Sequence, residues 1–252
     1  MTDRVSRRAF LATTGAAVAV PLLPHRLFAA MPSNVPVHGL SAFGELKYAP
    51  DFTHFDYVNA EAPKGGQMNF QPPNWTFNQT PFTFNTLNSF TLKGESPPRT
   101  ELCFETLMER ALDEPDAVYG LLAETVTVSE DRNSFTFKLR PQARWQDGTP
   151  LTAEDAAFSY NLFKDKGHPD LSLPLRDLTE ATAVDPVTLK LVFNGNQSAQ
   201  NILSIVVMPI VSKAFYTAND FEASSLKPPL GSGPYRFGKI MAGGSIVFEG
   251  GE

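Results

Sequence analysis

The sequence predicts a mixed α/β fold, a sheet built from hairpins with helices packed on it, and three observations carry that expectation. Two pairs of alternating polar and apolar runs are joined by short polar turns, at 125–139 and 182–193. A helix-start signature, Thr152-Ala153-Glu154-Asp155, stands between those pairs. A third pair of strand-like runs, Arg236–Lys239 and Ser245–Glu249, follows a Gly- and Pro-rich turn.

Taken in order, residues 1–30 read as an export address. Ser6-Arg7-Arg8-Ala9-Phe10-Leu11 has the form of a twin-arginine signal, with Arg7 and Arg8 as the pair read by the translocase. The run from Ala9 to Leu23 is mild and falls short of the ~20 apolar residues of a membrane span. Pro24 closes it, and the small residues Ala29 and Ala30 offer cleavage sites. The localisation this implies is periplasmic.

From His38 to Gly66, glycines and prolines alternate with Phe43, Tyr48, Phe52, Phe55 and Tyr57, which predicts loops packed by aromatics. A short strand is expected near Gln67–Gln71. The stretch that follows, with Trp75, Phe77, Phe82, Phe84 and Phe90 among Pro72, Pro73 and Pro81, is irregular chain clamped to a body by aromatic side chains, unlike the Gly, Ser and charge of a linker. Between Thr100 and Ala111, the spacing of Leu102, Phe104, Leu107, Met108 and Ala111 predicts a helix stopped at Pro115. Glu105 and Glu109 then fall on its solvated face.

In the first hairpin, Val126 and Val128 face Phe135, Phe137 and Leu139 across the loop 130–133. Trp145 to Pro150 is a tight turn in which Gly148 supplies a positive φ and Trp145 packs inward. The helix beginning after Thr152 runs to about Lys164 and buries Ala156, Ala157, Tyr160 and Phe163. Leu189, Leu191 and Phe193 share one face of the second hairpin. A helix over Asn201–Val207 ends at Pro209, 218–226 is polar and loosely ordered, and Pro228–Tyr235 is an ordered turn.

Composition narrows the function. Beyond residue 30 the chain holds 17 basic against 26 acidic side chains, and Gln67 to Gly94, free of acids, has only Lys93. Nucleic acid is not the partner such a balance suits. Cys103 is the only cysteine, so no internal disulfide forms, and its neighbours make it a small core filler. His25, His38, His54 and His168 are too dispersed for a metal site. No HExxH, Gly-x-Ser-x-Gly or phosphate-loop motif occurs, and Gly231-Ser232-Gly233 runs into Pro234 where a nucleotide fingerprint needs a helix. Asp147 with Asp155, or Glu105 with Glu109, could be imagined as acid–base pairs. A turn and a helix start explain the first two more simply, and a solvated helix face the others. No enzyme activity and no cofactor are expected.

Longer strings carry a resemblance. His38-Gly39-Leu40-Ser41-Ala42-Phe43-Gly44-Glu45-Leu46-Lys47-Tyr48, then Phe55-Asp56-Tyr57-Val58-Asn59 and Ala62-Pro63-Lys64-Gly65-Gly66, open a nearly continuous series. Phe84–Phe90, Leu112–Pro115, Tyr119–Glu124, the run Leu139–Asp155 and Pro229–Arg236 continue it in order. Together they resemble the oligopeptide and microcin C branch of the family 5 extracellular solute-binding proteins. The resemblance implies a type II periplasmic binding-protein fold, a peptide-like solute, delivery to an ABC permease in the membrane, and no catalysis.

Members of that family are roughly twice as long, so the resemblance implies that residues 31–252 form an N-terminal lobe whose opposing lobe lies outside this chain. The solute wall expected in this lobe is Phe84, Asn85, Leu87 and Asn88, with Trp75 behind them. Two other readings compete with the ABC importer component: a cofactor enzyme exported by the twin-arginine route, and a periplasmic sensor or interaction protein on the same fold.

Overall fold

The computed structural model describes residues 31–69, 76–80, 82–241 and 244–251. The segment 1–30 expected to be a signal, with Arg7 and Arg8, and Trp75 lie outside them. Mixed α/β architecture is found. A five-stranded antiparallel sheet has the order β1-β5-β6-β8-β7, made of β1 (Pro36–Val37), β5 (Ala123–Val128), β6 (Ser134–Leu139), β7 (Leu178–Asp185) and β8 (Thr188–Phe193). A three-stranded sheet, order β2-β4-β3, joins β2 (Gly39–Ser41), β3 (Met108–Arg110) and β4 (Ala117–Gly120). β9 (Tyr235–Met241) and β10 (Ser245–Gly250) form a separate hairpin.

Both hairpins of the large sheet follow the alternation of their sequences. Val126 pairs with Phe137 and Val128 with Phe135, while Leu189 and Leu191 face Phe137 and Phe135 on the next strand. All six side chains are buried, whereas Thr127, Thr136 and Lys190 between them are not. A period of two thus puts one continuous apolar face under the helices.

Helix α1 (Ala153–Lys166) covers that face through Ala156, Ala157, Tyr160 and Phe163, lying against β7 and β8. Its start is a capping box on Thr152, and Asp155 Oδ2 accepts the Thr152 amide at 3.0 Å. The other oxygen, Oδ1, accepts the Lys213 amide at 3.0 Å, at the first residue of a helix absent from the sequence reading, Lys213–Ala218. One buried carboxylate therefore fastens two helix starts. Short α2 (Pro169–Ser172) and α3 (Ala199–Ile205) lie between them in the chain, so Lys213–Ala218 is α4. Tyr160 Oη donates to the Ile205 carbonyl at 3.1 Å and ties α1 to α3.

Three expectations fail. The segment Thr100–Ala111 is not an α-helix: a 3-10 turn over Thr100–Cys103 passes into extended chain at Phe104 and then into β3. Phe104, Leu107, Met108 and Ala111 are buried as expected and Leu102 is half-buried, but on several sides at once, because the segment runs through the body. Such a run cannot be told from a helix by periodicity alone. The strand expected at Gln67–Gln71 is absent from 67–69, the part of it that is described. The aromatic loops of 38–66 contain the unforeseen strand β2, too short to show a period.

Around Tyr119 those loops build a second small core. Tyr48, Phe52 and Phe55 place their rings within 5.8 Å of the Tyr119 ring, mostly edge to face. Tyr48 Oη donates to Asp113 at 2.5 Å, and Lys47 bridges Asp113 and Asp56 at 2.6 and 2.7 Å. These hydrogen bonds, from Lys47 first and then Tyr48, hold the Asp113 carboxyl below its usual range.

Replacing Asp155 with Ala removes the cap and leaves the Lys213 amide without its acceptor. The expected loss is about 2 kcal/mol, read from thermal or urea unfolding, with Asp155→Asn losing less because it keeps an acceptor oxygen.

Candidate functional site

The irregular segment 76–96 is held by polar side chains that bond to backbone and, at Gln79, to other side chains. Asn78 Nδ2 donates to the carbonyls of Asn88 and Lys93 at 3.1 and 3.0 Å, and Gln79 Nε2 donates to Thr100 Oγ1 and Glu101 Oε2 at 3.2 and 2.7 Å. Thr86 Oγ1 accepts the amides of Asn88 and Ser225. The bonds of Asn78 and Thr86, with an isolated bridge between Gln79 and Ser96, satisfy backbone that a loop would otherwise leave to water. Phe90 anchors the segment, its ring 5.2 Å from Phe104 and 5.5 Å from Phe163.

Each residue expected in the solute wall, Trp75 aside, can be placed. Phe84, Leu87 and Asn88 are buried, and Asn85 is exposed. Asn88 Nδ2 donates to the Phe221 carbonyl at 2.6 Å and its Oδ1 accepts the Phe90 amide at 3.0 Å. The Leu87 amide donates to the Ser225 carbonyl at 2.8 Å, so the stretch 218–226, read as loosely ordered, is stitched to this segment. Asn85 Oδ1 accepts the Glu95 amide at 2.9 Å. The exposed groups among the described residues of the segment are Thr76, Phe82, Thr83, Asn85, Leu92, Lys93 and Glu95.

Next to this wall the turn Gly231–Tyr235 lies on the 3-10 turn. The Gly233 amide donates to the Cys103 carbonyl at 2.9 Å, and the Gln146 amide donates to the Gly231 carbonyl at 2.9 Å. A Cβ at Gly231 would stand 2.0 Å from the Cys103 carbonyl oxygen, and one at Gly233 2.5 Å from that of Leu102. Close backbone approach, not a nucleotide, explains these glycines. Gln146 Nε2 also donates to the carbonyls of Gly233 and Tyr235 at 3.0 and 2.7 Å. Trp145 is buried beside them, Asp147 Oδ1 accepts from the Thr149 amide and hydroxyl, and burial pushes the Cys103 thiol up to about 12, so all three are structural here.

Glu105 corrects the reading of a solvated helix face. Its amide donates to Ser232 Oγ at 3.1 Å and its carbonyl accepts the Ile210 amide at 2.8 Å, which fixes the residue from both sides. The side chain is half-buried, and burial pushes its carboxyl up to about 6. Among the described residues no group of His, Cys, Asp and Glu is placed to hold a metal ion.

Residues 117–250 match the family model of bacterial extracellular solute-binding proteins, family 5 Middle. The chain belongs to that family. It is 34% identical over 223 residues to the peptidoglycan-binding protein YepA of Agrobacterium fabrum, covering 85% of this chain and 35% of that protein. It is 33% identical over 249 residues to the probable peptide-binding protein YejA of the same organism, covering 96% of this chain and 38% of that one. The chain thus spans little more than a third of the length of these relatives.

Among solved structures, a periplasmic oligopeptide-binding protein of an oligopeptide ABC transporter from Thermotoga maritima superposes with a TM-score of 0.50 at 28% identity, over 60% of this chain and 28% of that one. NikZ of Campylobacter jejuni, solved with Ni(L-His), superposes with a TM-score of 0.53 at 20% identity, over 73% of this chain and 34% of that one, a likeness of fold alone. The fold is that of the type II periplasmic binding proteins, over part of its extent.

Gly231→Ala is expected to unfold the turn or displace the 3-10 segment, seen as a large loss of melting temperature, because the nearest atom is a backbone oxygen that cannot swing away. Glu105 carries a second expectation. Its raised carboxyl favours the protonated form in the folded state, so its contribution is full below pH ~4.5 and is lost as pH rises through about 6. Glu105→Gln should therefore raise the melting temperature at pH 7 and leave it unchanged at pH 4, measured by calorimetry across that range.

Proposed function

We propose that this chain is part of the substrate-binding component of an ABC importer for peptide-like solutes, oligopeptides or microcin-like peptides, that works in the periplasm. The observation that carries the reading is the 33% identity over 96% of the chain to a protein named as a probable peptide-binding protein. The name of YepA, peptidoglycan-binding, keeps a peptide-bearing solute within the same class. Relatives that are binding proteins also support a role without catalysis, against the cofactor-enzyme alternative.

Residues 31–252 act, in this reading, as the N-terminal lobe of the binding protein, with 1–30 as a twin-arginine signal read through Arg7 and Arg8. The solute wall is the segment containing Trp75, Phe84, Asn85, Leu87 and Asn88. The buried Phe84, Leu87 and Asn88 hold the loop in shape, and Asn85 with the main chain around it meets the solute. Backbone hydrogen bonding of that kind, with tolerance for side chains, is how an extended peptide is held by strand addition.

Isothermal titration of the complete binding protein with a mixture of di- to oligopeptides is expected to give heat and a ligand-dependent rise in melting temperature. Silence in both measurements across peptides and peptidoglycan fragments sinks the assignment. Stoichiometric flavin or metal in the purified protein would favour the enzyme alternative instead.

A further inference from the structure

On sequence, the leader expected over residues 1–30 is open to cleavage at two bonds, Ala29–Ala30 and Ala30–Met31. The segment that follows is fastened to the body from Met31 onward. Met31 is 4% exposed and belongs to the main core. Its Sδ accepts the Ser41 amide at 3.4 Å and its carbonyl accepts Arg132 Nη2 at 2.6 Å. The Asn34 amide donates to the Val128 carbonyl at 2.8 Å, and Pro36 and Val37 pair with Thr127 and Val126 of β5. All of these contacts lie within this chain, so any further chain packed against it adds burial to Met31 and removes none.

Arg132 makes the other half of this clasp. It stands at φ 63° in the loop between β5 and β6, and its carbonyl accepts Gln197 Nε2 at 3.2 Å. Asp131 beside it accepts the Ser129 hydroxyl and the Asn133 amide at 2.5 and 3.1 Å, which holds the loop. Arg132 Nη1 is buried with no hydrogen-bond partner among the described residues, so part of the guanidinium charge goes uncompensated. An α-amino group is largely cationic at neutral pH. The nitrogen and the carbonyl oxygen of one residue are at most about 3.6 Å apart. An ammonium on Met31 would therefore lie within about 6 Å of Arg132 Nη2. Like charges at that distance beside a half-buried side chain repel. One more residue carries the ammonium about 3.8 Å farther along the chain.

We propose that the leader is cut at Ala29–Ala30, and that the clasp of Met31 and Arg132 selects this bond over its neighbour. This rests on the reading of residues 1–30 as a twin-arginine signal. That route carries folded cargo, so the clasp is closed when a membrane signal peptidase meets the chain. A protease needs backbone that can be drawn out on both sides of the bond, and burial and hydrogen bonding decide how much can be drawn. Hydrolysis of Ala30–Met31 requires Met31 to leave the core, whereas hydrolysis of Ala29–Ala30 acts one residue clear of it. Water adds across the Ala29–Ala30 amide, leaving a carboxylate on Ala29 and an ammonium on Ala30.

The test expresses the complete, leader-bearing protein in a host with a working twin-arginine translocase and in the same host without one, and reads the N-terminal sequence and intact mass of the periplasmic product. A single product that begins at Ala30 is expected. A product that begins at Met31, or at any other residue, overturns the assigned bond and leaves the signal reading intact. An uncut chain, or a periplasmic product that persists without the translocase, overturns the signal reading and the cut together. Arg132→Ala leaves the sequence around both bonds untouched, and it is expected to add a second product, shorter by one alanine, that the wild type lacks. Arg132→Lys takes its place if Arg132→Ala fails to fold, judged by the melting temperature of the purified product. The wild-type product alone, from a folded variant, overturns the role of the clasp.

Discussion

Backbone hydrogen bonding of the stretch from Leu102 to Arg110 is the constraint on which the rest of this structure depends. It has neither a helix nor one long ladder of its own. The Cys103 carbonyl takes the Gly233 amide, Glu105 lies between Ser232 and Ile210, and the Met108 amide goes to the Val206 carbonyl. The Leu107 carbonyl accepts both Leu121 and Ala123, before β3 joins β4. A buried backbone must find such partners, and here they come from segments up to more than a hundred residues away. The turn 231–235, the end of α3 and the start of β5 are therefore positioned by the same nine residues.

That crossing explains the close approach of glycines to carbonyls and the unusual state of Glu105. A chain threaded through the body brings a carboxyl with it, and the carboxyl loses water without gaining a hydrogen-bond partner among the described residues. It also explains why the aromatic residues of the irregular segment matter. Phe90 packs on Phe104 and Phe163 at once, so the loop wall, the crossing segment and α1 share one core.

Regular elements were legible because their signals are local. The alternation in β5, β6 and β8, the glycine of the 145–150 turn and the capping residues of α1 each act within a few positions of themselves. Family membership was legible in the same way, from strings such as Leu139–Asp155 whose order along the chain carries the match. The residues expected to form a solute wall could be named only as one irregular segment: the burial of Phe84, Leu87 and Asn88 and Asn88's bonds to Phe221 and Phe90 depend on loops that composition describes merely as polar.

By itself the sequence determined the hairpins, the long helix and its cap, the burial of Trp145 and Cys103, and membership of a solute-binding family, because each rests on neighbouring residues or on strings read in order. Tertiary structure alone decided that Thr100–Ala111 is a 3-10 turn followed by extended chain, that Asp155 fastens a second helix, and that Glu105 is fixed between Ser232 and Ile210. Those outcomes turn on hydrogen bonds and contacts between segments far apart in the chain, and where partners are remote, local propensity for a helix or a loop is overridden by the need to satisfy buried backbone.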